Sequence, residues 1–133
     1  MHPDDRVGSG YATRPDYRVD ILARRNQFAA RAGDAVLASS EHCLVVDEQD
    51  HGLVVYFPRE DVALDALEPV DHVTRCPFKG LATHWQLPGG AEPVAWSYED
   101  PYPEVERIAN HVAFYQQRVT VTIGVATPAV SGR

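Results

Sequence analysis

The chain has 133 residues, with 12 Lys and Arg against 19 Asp and Glu, so its formal net charge is −7. That length suits one domain with its own core. The acid excess predicts no nucleic-acid or anionic-membrane partner, since neither has a basic face to meet. No apolar run approaches the roughly 20 residues that a membrane helix needs, and Met1-His-Pro-Asp-Asp-Arg6 lacks an apolar signal core. The expected location is therefore cytoplasmic. Cys43 and Cys76 are too few for a disulfide framework or a paired-cysteine zinc site, and read as reduced thiols.

In chain order, residues 1–16 carry Pro3, Gly8, Gly10 and Pro15 among charges, which predicts a loose N-terminal arm. The domain is expected over residues 17–126, followed by a mobile tail at 127–133. Between Tyr17 and Arg25 the pattern leaves helix and strand open, and from about Asn26 a strand is expected to enter a turn at Gly33-Asp34. Short apolar strands follow at Ala35–Ser39, Cys43–Val46 and Leu53–Phe57, the last stopped by Pro58. Pro58 to Val62 suits one helical turn, with Pro at its start and acids in the first turn. A loop is expected through Leu67-Glu-Pro69. Strands then follow at Val73–Cys76, Leu81–Leu87 and Glu92–Tyr98, with Pro88-Gly89-Gly90 turning the chain. A helix is expected over Pro103–Asn110, followed by strands at His111–Tyr115 and Arg118–Ile123, the last alternating cleanly. The sum is a mainly β, α+β domain with one or two short helices.

Four segments carry the candidate chemistry: Tyr56-Phe-Pro-Arg-Glu-Asp-Val62, Cys76-Pro-Phe-Lys-Gly80 followed by Trp85, Trp96-Ser-Tyr98 with Pro101, and Ile108 through Ala113-Phe-Tyr115. Together, and in this order over roughly residues 27–121, they resemble the family known as domain of unknown function 427, which sometimes carries a nucleotidyltransferase label. The resemblance implies a β-tent fold, with small twisted antiparallel sheets meeting over a cleft. Related β-tent domains often hold zinc on two paired-cysteine knuckles, which this chain lacks, so neither zinc nor any other cofactor is carried over. The nucleotidyltransferase label implies a Gly-Ser loop and paired acids on a strand, and this chain has neither. Where the family often has an aromatic before the Trp of the lysine motif, His84 stands here.

The residues themselves support three readings. In the first, Tyr56, Trp85, Trp96 and Tyr98 line a pocket wall that Arg59, Asp61 and Lys79 complete. Arg and Lys at motif positions of an acidic protein would attract a small anionic or carbonyl-bearing ligand, whose identity the sequence leaves open. In the second, Cys76 is a catalytic nucleophile or redox thiol whose thiolate is favoured by Lys79, with His72, His84 or His111 as base. In the third, the chain is an interaction module that pairs through an exposed strand edge. Each site residue also has a structural reading: Cys76 and Lys79 as parts of a turn, Arg59 and Asp61 as an ion pair, the Trp residues as core. The six His show no helical i,i+4 pair, and no metal site is expected. The oligomeric state is not legible.

Overall fold

The computed structural model describes residues 9–126. It is mainly β, with ten strands: β1 (Val19–Ala23), β2 (Asn26–Ala32), β3 (Ala35–Ser40), β4 (Leu44–Glu48), β5 (Leu53–Pro58), β6 (Glu68–Cys76), β7 (Gly80–Gln86), β8 (Pro93–Tyr98), β9 (His111–Phe114) and β10 (Thr120–Ala126). They form a seven-stranded sheet in the order β1-β4-β5-β9-β8-β7-β6 and a three-stranded sheet in the order β10-β2-β3. Every strand pair is antiparallel. The only helical pieces among the described residues are short 3-10 turns at Gly10–Ala12, Arg59–Asp61, Leu64–Ala66 and Pro103–Ile108.

The turns explain the hairpins. Gly33 between β2 and β3, and Asp50 between β4 and β5, take positive φ angles of 59° and 62°, which short reversals demand and which Gly and Asp tolerate. A single bridge from Ala38 to Val62 ties the small sheet to the chain that leaves β5.

Strand β5 shows how the core is built. Val55, Tyr56 and Phe57 are consecutive and all buried, because successive side chains leave a strand on opposite faces and both faces are covered. One face of the large sheet packs on the small sheet: Val55, Phe57, Val112 and Phe114 meet Phe28, Ala30 and Leu37. Phe57 and Phe114 pack edge to face, with ring centroids 5.6 Å apart. The other face carries Leu44, Val46, Tyr56 and Ala113 beneath Val105 and Ile108 of the last 3-10 turn. Deleting a buried side chain of that size, such as Phe57→Ala, costs about 3–5 kcal/mol.

Four local expectations change. Residues 19–23, open between helix and strand, form β1, because pairing with β4 packs the partly buried Ile21 against Val46. Glu68 and Pro69, read as loop, start β6 as an edge strand, where Pro can sit without breaking a ladder. The helix expected at Pro103–Asn110 is two 3-10 turns kinked at Val105, where φ and ψ are −128° and 28°. The part of the expected loose arm at residues 9–16 is fastened down: Gly10 N–H donates to the Pro77 carbonyl at 2.7 Å. Residues 1–8 of the arm and the tail 127–133 lie outside the described residues. Among the described residues, no helix is long and apolar enough to cross a membrane.

Candidate functional site

The inward face of β4 is set by its alternation. Leu44, Val46 and Glu48 share a face, so the first two enter the core and the third carries a carboxylate to the end of it. The corresponding face of β5 brings Val54 and Tyr56, and β8 brings Trp96 and Tyr98. The turn between β6 and β7 adds Cys76, Phe78 and Lys79. These elements line a cavity of about 410 Å3, whose wall also includes Tyr17 and His51.

Gly80 shapes the turn that delivers Lys79. Its φ of 119° lies where side chains are disfavoured. The Lys79 N–H donates to the Cys76 carbonyl at 3.3 Å, and the Lys79 carbonyl accepts from the Tyr102 N–H at 3.0 Å. The Lys79 side chain is thereby drawn inward until the residue is only 5% exposed. Its ammonium is ion-paired with the Glu48 Oε1. The other oxygen, Oε2, accepts from the Tyr17 hydroxyl at 2.5 Å, and His51 Nε2 stands 3.6 Å from it.

Burial alone would raise the Glu48 pKa. The hydrogen bonds from Lys79 and Tyr17, together with the Lys79 charge, outweigh that and hold it below the usual carboxylate range. Burial has the opposite consequence for the surrounding phenols. It pushes Tyr17, Tyr56 and Tyr98 up, with nearby Glu48 adding to each, so all three remain neutral hydrogen-bond donors. Trp96 Nε1 donates to the Tyr56 hydroxyl at 3.3 Å, and the two rings meet edge to face.

The wall on the turn side is an aromatic stack. Tyr17 lies parallel to Phe78 with centroids 3.6 Å apart, and Tyr11 meets the same ring edge-on at 5.2 Å. A Cβ at position 10 would fall 2.5 Å from the Phe78 ring. Gly10 therefore lets the backbone close on the ring, and the segment that carries Tyr17 is held against the site.

Of the residues singled out in the sequence, Tyr56, Cys76, Lys79, Trp96 and Tyr98 share this cavity. Arg59, Asp61 and Trp85 lie elsewhere. Trp85 pairs across the ladder with Ala95, one residue out of phase with Trp96, so the two indoles leave the sheet on opposite faces. Trp85 belongs to the inter-sheet core. The Arg59 guanidinium lies 5.3 Å from the Trp85 ring centroid and pairs with Glu99 at 3.0 Å. Asp61 is near enough to Cys43 for its charge to add to the burial that pushes that thiol up to about 12.

None of the histidines considered as a base for Cys76 lines the cavity. His84 is buried, its ring nitrogens within 3.3 Å of Thr74 Oγ1 and the His72 carbonyl, with burial lowering its pKa. His111 Nδ1 is 2.9 Å from the Ala109 carbonyl. Sequence reasoning missed Tyr17, Glu48, His51 and Phe78. The period-two run Leu44, Val46, Glu48 is a signal that points Glu48 inward. No comparable local signal marks Tyr17, which opens the stretch left between helix and strand. Among the described residues, no three His, Cys, Asp or Glu side chains gather as a metal site.

Two antiparallel sheets, with an aromatic cavity on the outer face of the larger one and a buried acid–ammonium pair in its wall, define a mainly β protein. The chain belongs to the family described as Domain of unknown function (DUF427), labelled NTP_transf_9, whose model matches residues 20–124. No curated protein matches it.

Proposed function

We propose that the cavity binds a small, uncharged, carbonyl-bearing molecule. The observation that carries this reading is the Glu48–Lys79 pair inside an aromatic enclosure. The sequence alone left an anionic ligand equally open, on the premise that Arg59 and Lys79 make one cationic cleft. With Arg59 on Glu99 and Lys79 neutralised by Glu48, an anion would meet no net positive charge there. A carbonyl group can instead accept from the ammonium or a phenol, while a planar body stacks on Trp96 or Tyr98. A volume of about 410 Å3 suits such a ligand, being within the roughly 300–1,000 Å3 of small-molecule sites.

The test is a binding screen of cyclic imides, lactams and aryl amides against carboxylates and phosphates, read by Trp fluorescence and by the Trp96 indole resonance. Saturable shifts with the neutral compounds are expected, weakened about tenfold in Trp96→Leu through loss of a stacking face. Binding confined to the anions, or saturable binding that never moves the Trp96 indole, would overturn the reading.

A second reading rests on Cys76, whose thiol shares the same cavity. With a bound α,β-unsaturated carbonyl compound, that sulfur would add to the β-carbon, the C=C π bond breaking and the thiol proton passing to the α-carbon. Intact-mass spectrometry of the chain after exposure to an α,β-unsaturated amide distinguishes this from reversible binding: an adduct lost in Cys76→Ala supports the nucleophile.

A further inference from the structure

A second cavity, of about 460 Å3, opens between the two sheets. It shares no lining residue with the Glu48–Lys79 cavity. The two lie on opposite faces of β4 and β5, one reached by Val46 and Val54, the other by Val45 and Val55. Where Phe57 and Phe114 meet the small sheet, the core is closed and its side chains fully buried. Toward β1 and β10 the same two sheet faces leave a gap. Phe28, Val55 and Val121 form its inner wall, while Leu22, Leu53 and Ile123 stand at its lip and remain 38%, 59% and 64% exposed. Three large apolar side chains in water around an apolar cavity are costly to keep unless something covers them.

The charged residues that line the mouth are Arg24 and Asp47. Arg24 lines it, and the adjacent Arg25 is exposed. Among the described residues neither has a carboxylate within ion-pair distance. Arg24 Nη1 donates to the Ala23 carbonyl at 2.8 Å, and a guanidinium with five N–H donors keeps most of them available. The acid at the same mouth, Asp47, is 3.4 Å from Arg18, which pairs more closely with Asp20 at 2.6 Å. Asn26 also lines the cavity, its amide engaged with the Gly124 carbonyl at 3.0 Å.

An apolar interior with a guanidinium at its entrance that meets no carboxylate among the described residues fits one kind of molecule. We infer that the inter-sheet cavity binds an aliphatic monocarboxylate, its chain against Phe28, Val55 and Val121 and its carboxylate at Arg24, where a planar fork can donate to both oxygens. Burial of the chain covers the lip residues, and the charge at the mouth selects the acid over the alcohol.

The test uses the isotope-labelled 133-residue chain titrated with decanoate, and with decanol as the uncharged counterpart. Saturable amide shifts at Leu22, Leu53 and Ile123 are expected, with the Trp96 indole unmoved. Arg24→Glu should weaken decanoate about fivefold or more and leave decanol unchanged. Leu53→Glu, at an exposed position that leaves the core intact, should weaken both. The inference fails if shifts gather around Trp96 and Lys79, if no saturable shift appears at millimolar decanoate, or if Arg24→Glu affects acid and alcohol alike. It also fails if sedimentation shows these lip residues buried between two copies of the chain, with decanoate unable to separate them.

Discussion

Glu48 and Lys79 stand 31 positions apart in the chain and close on each other at the wall of an aromatic cavity, with side chains 13% and 6% exposed. Neither could be kept charged there alone. Removing one partner of a buried pair leaves the other uncompensated, whereas removing both can be nearly neutral. Lys79→Met is therefore expected to lower unfolding free energy by about 3 kcal/mol, and Glu48→Gln combined with Lys79→Met to recover most of it. Urea denaturation of the four members of that cycle checks this. Additive losses in the double variant would mean that the two side chains do not stabilise each other.

The same pair predicts an acid sensitivity. Glu48 in the folded chain titrates below its ordinary value of 4.5. On acidification the unfolded chain takes up that proton first, so its contribution to stability is complete above the ordinary value and lost as pH falls through the lower folded one. Glu48→Gln removes the titrating group. The stability difference between native chain and variant should stay constant from pH 7 to about 5 and shrink below about 4.5. A difference that grows on acidification would reverse the sign assigned to Glu48.

The two thiols should differ in reactivity. Cys43 is buried, and that burial pushes its thiol up to about 12, so thiolate is scarce at neutral pH. Cys76 is partly exposed in the cavity wall. Iodoacetamide at neutral pH should modify Cys76 well before Cys43, as peptide mapping would reveal. Equal labelling would show that the site is no more accessible than the core.

Opposite faces for the indoles give a fluorescence prediction. Trp96 lies in the cavity wall and Trp85 in the inter-sheet core. A ligand in the cavity should quench Trp96, so Trp85→Phe should retain the quench and Trp96→Phe should abolish it.

Arg59 provides the matching control. Its pair with Glu99 is largely in water, and its guanidinium lies over Trp85, not over the cavity. Arg59→Ala should cost about 1 kcal/mol of stability and leave ligand affinity unchanged, by thermal melting and titration. A tenfold loss of affinity would return Arg59 to the binding site.

Strand content was legible because it is a local property. The alternation in Thr120–Ile123, the turn residues at Gly33 and Gly89, and the apolar run at Val54–Phe57 each speak for their own few residues. The four motifs likewise identified the family without any fold. What they left open was which side chains meet. One position in β7 against β8 decides that Trp96 faces the cavity while Trp85 faces the core, and composition is blind to that register. Lys79 looked like part of a cationic cleft with Arg59. Only the pairing of β4 beside β5, and the turn at Gly80 reaching across the sheet, bring Glu48 to it. Strands, turns and kinship could be read along the chain, because backbone preferences and periodicity act over neighbouring residues. The tertiary structure decided the site, because the sign of its charge and the membership of its walls depend on contacts between residues distant in the chain.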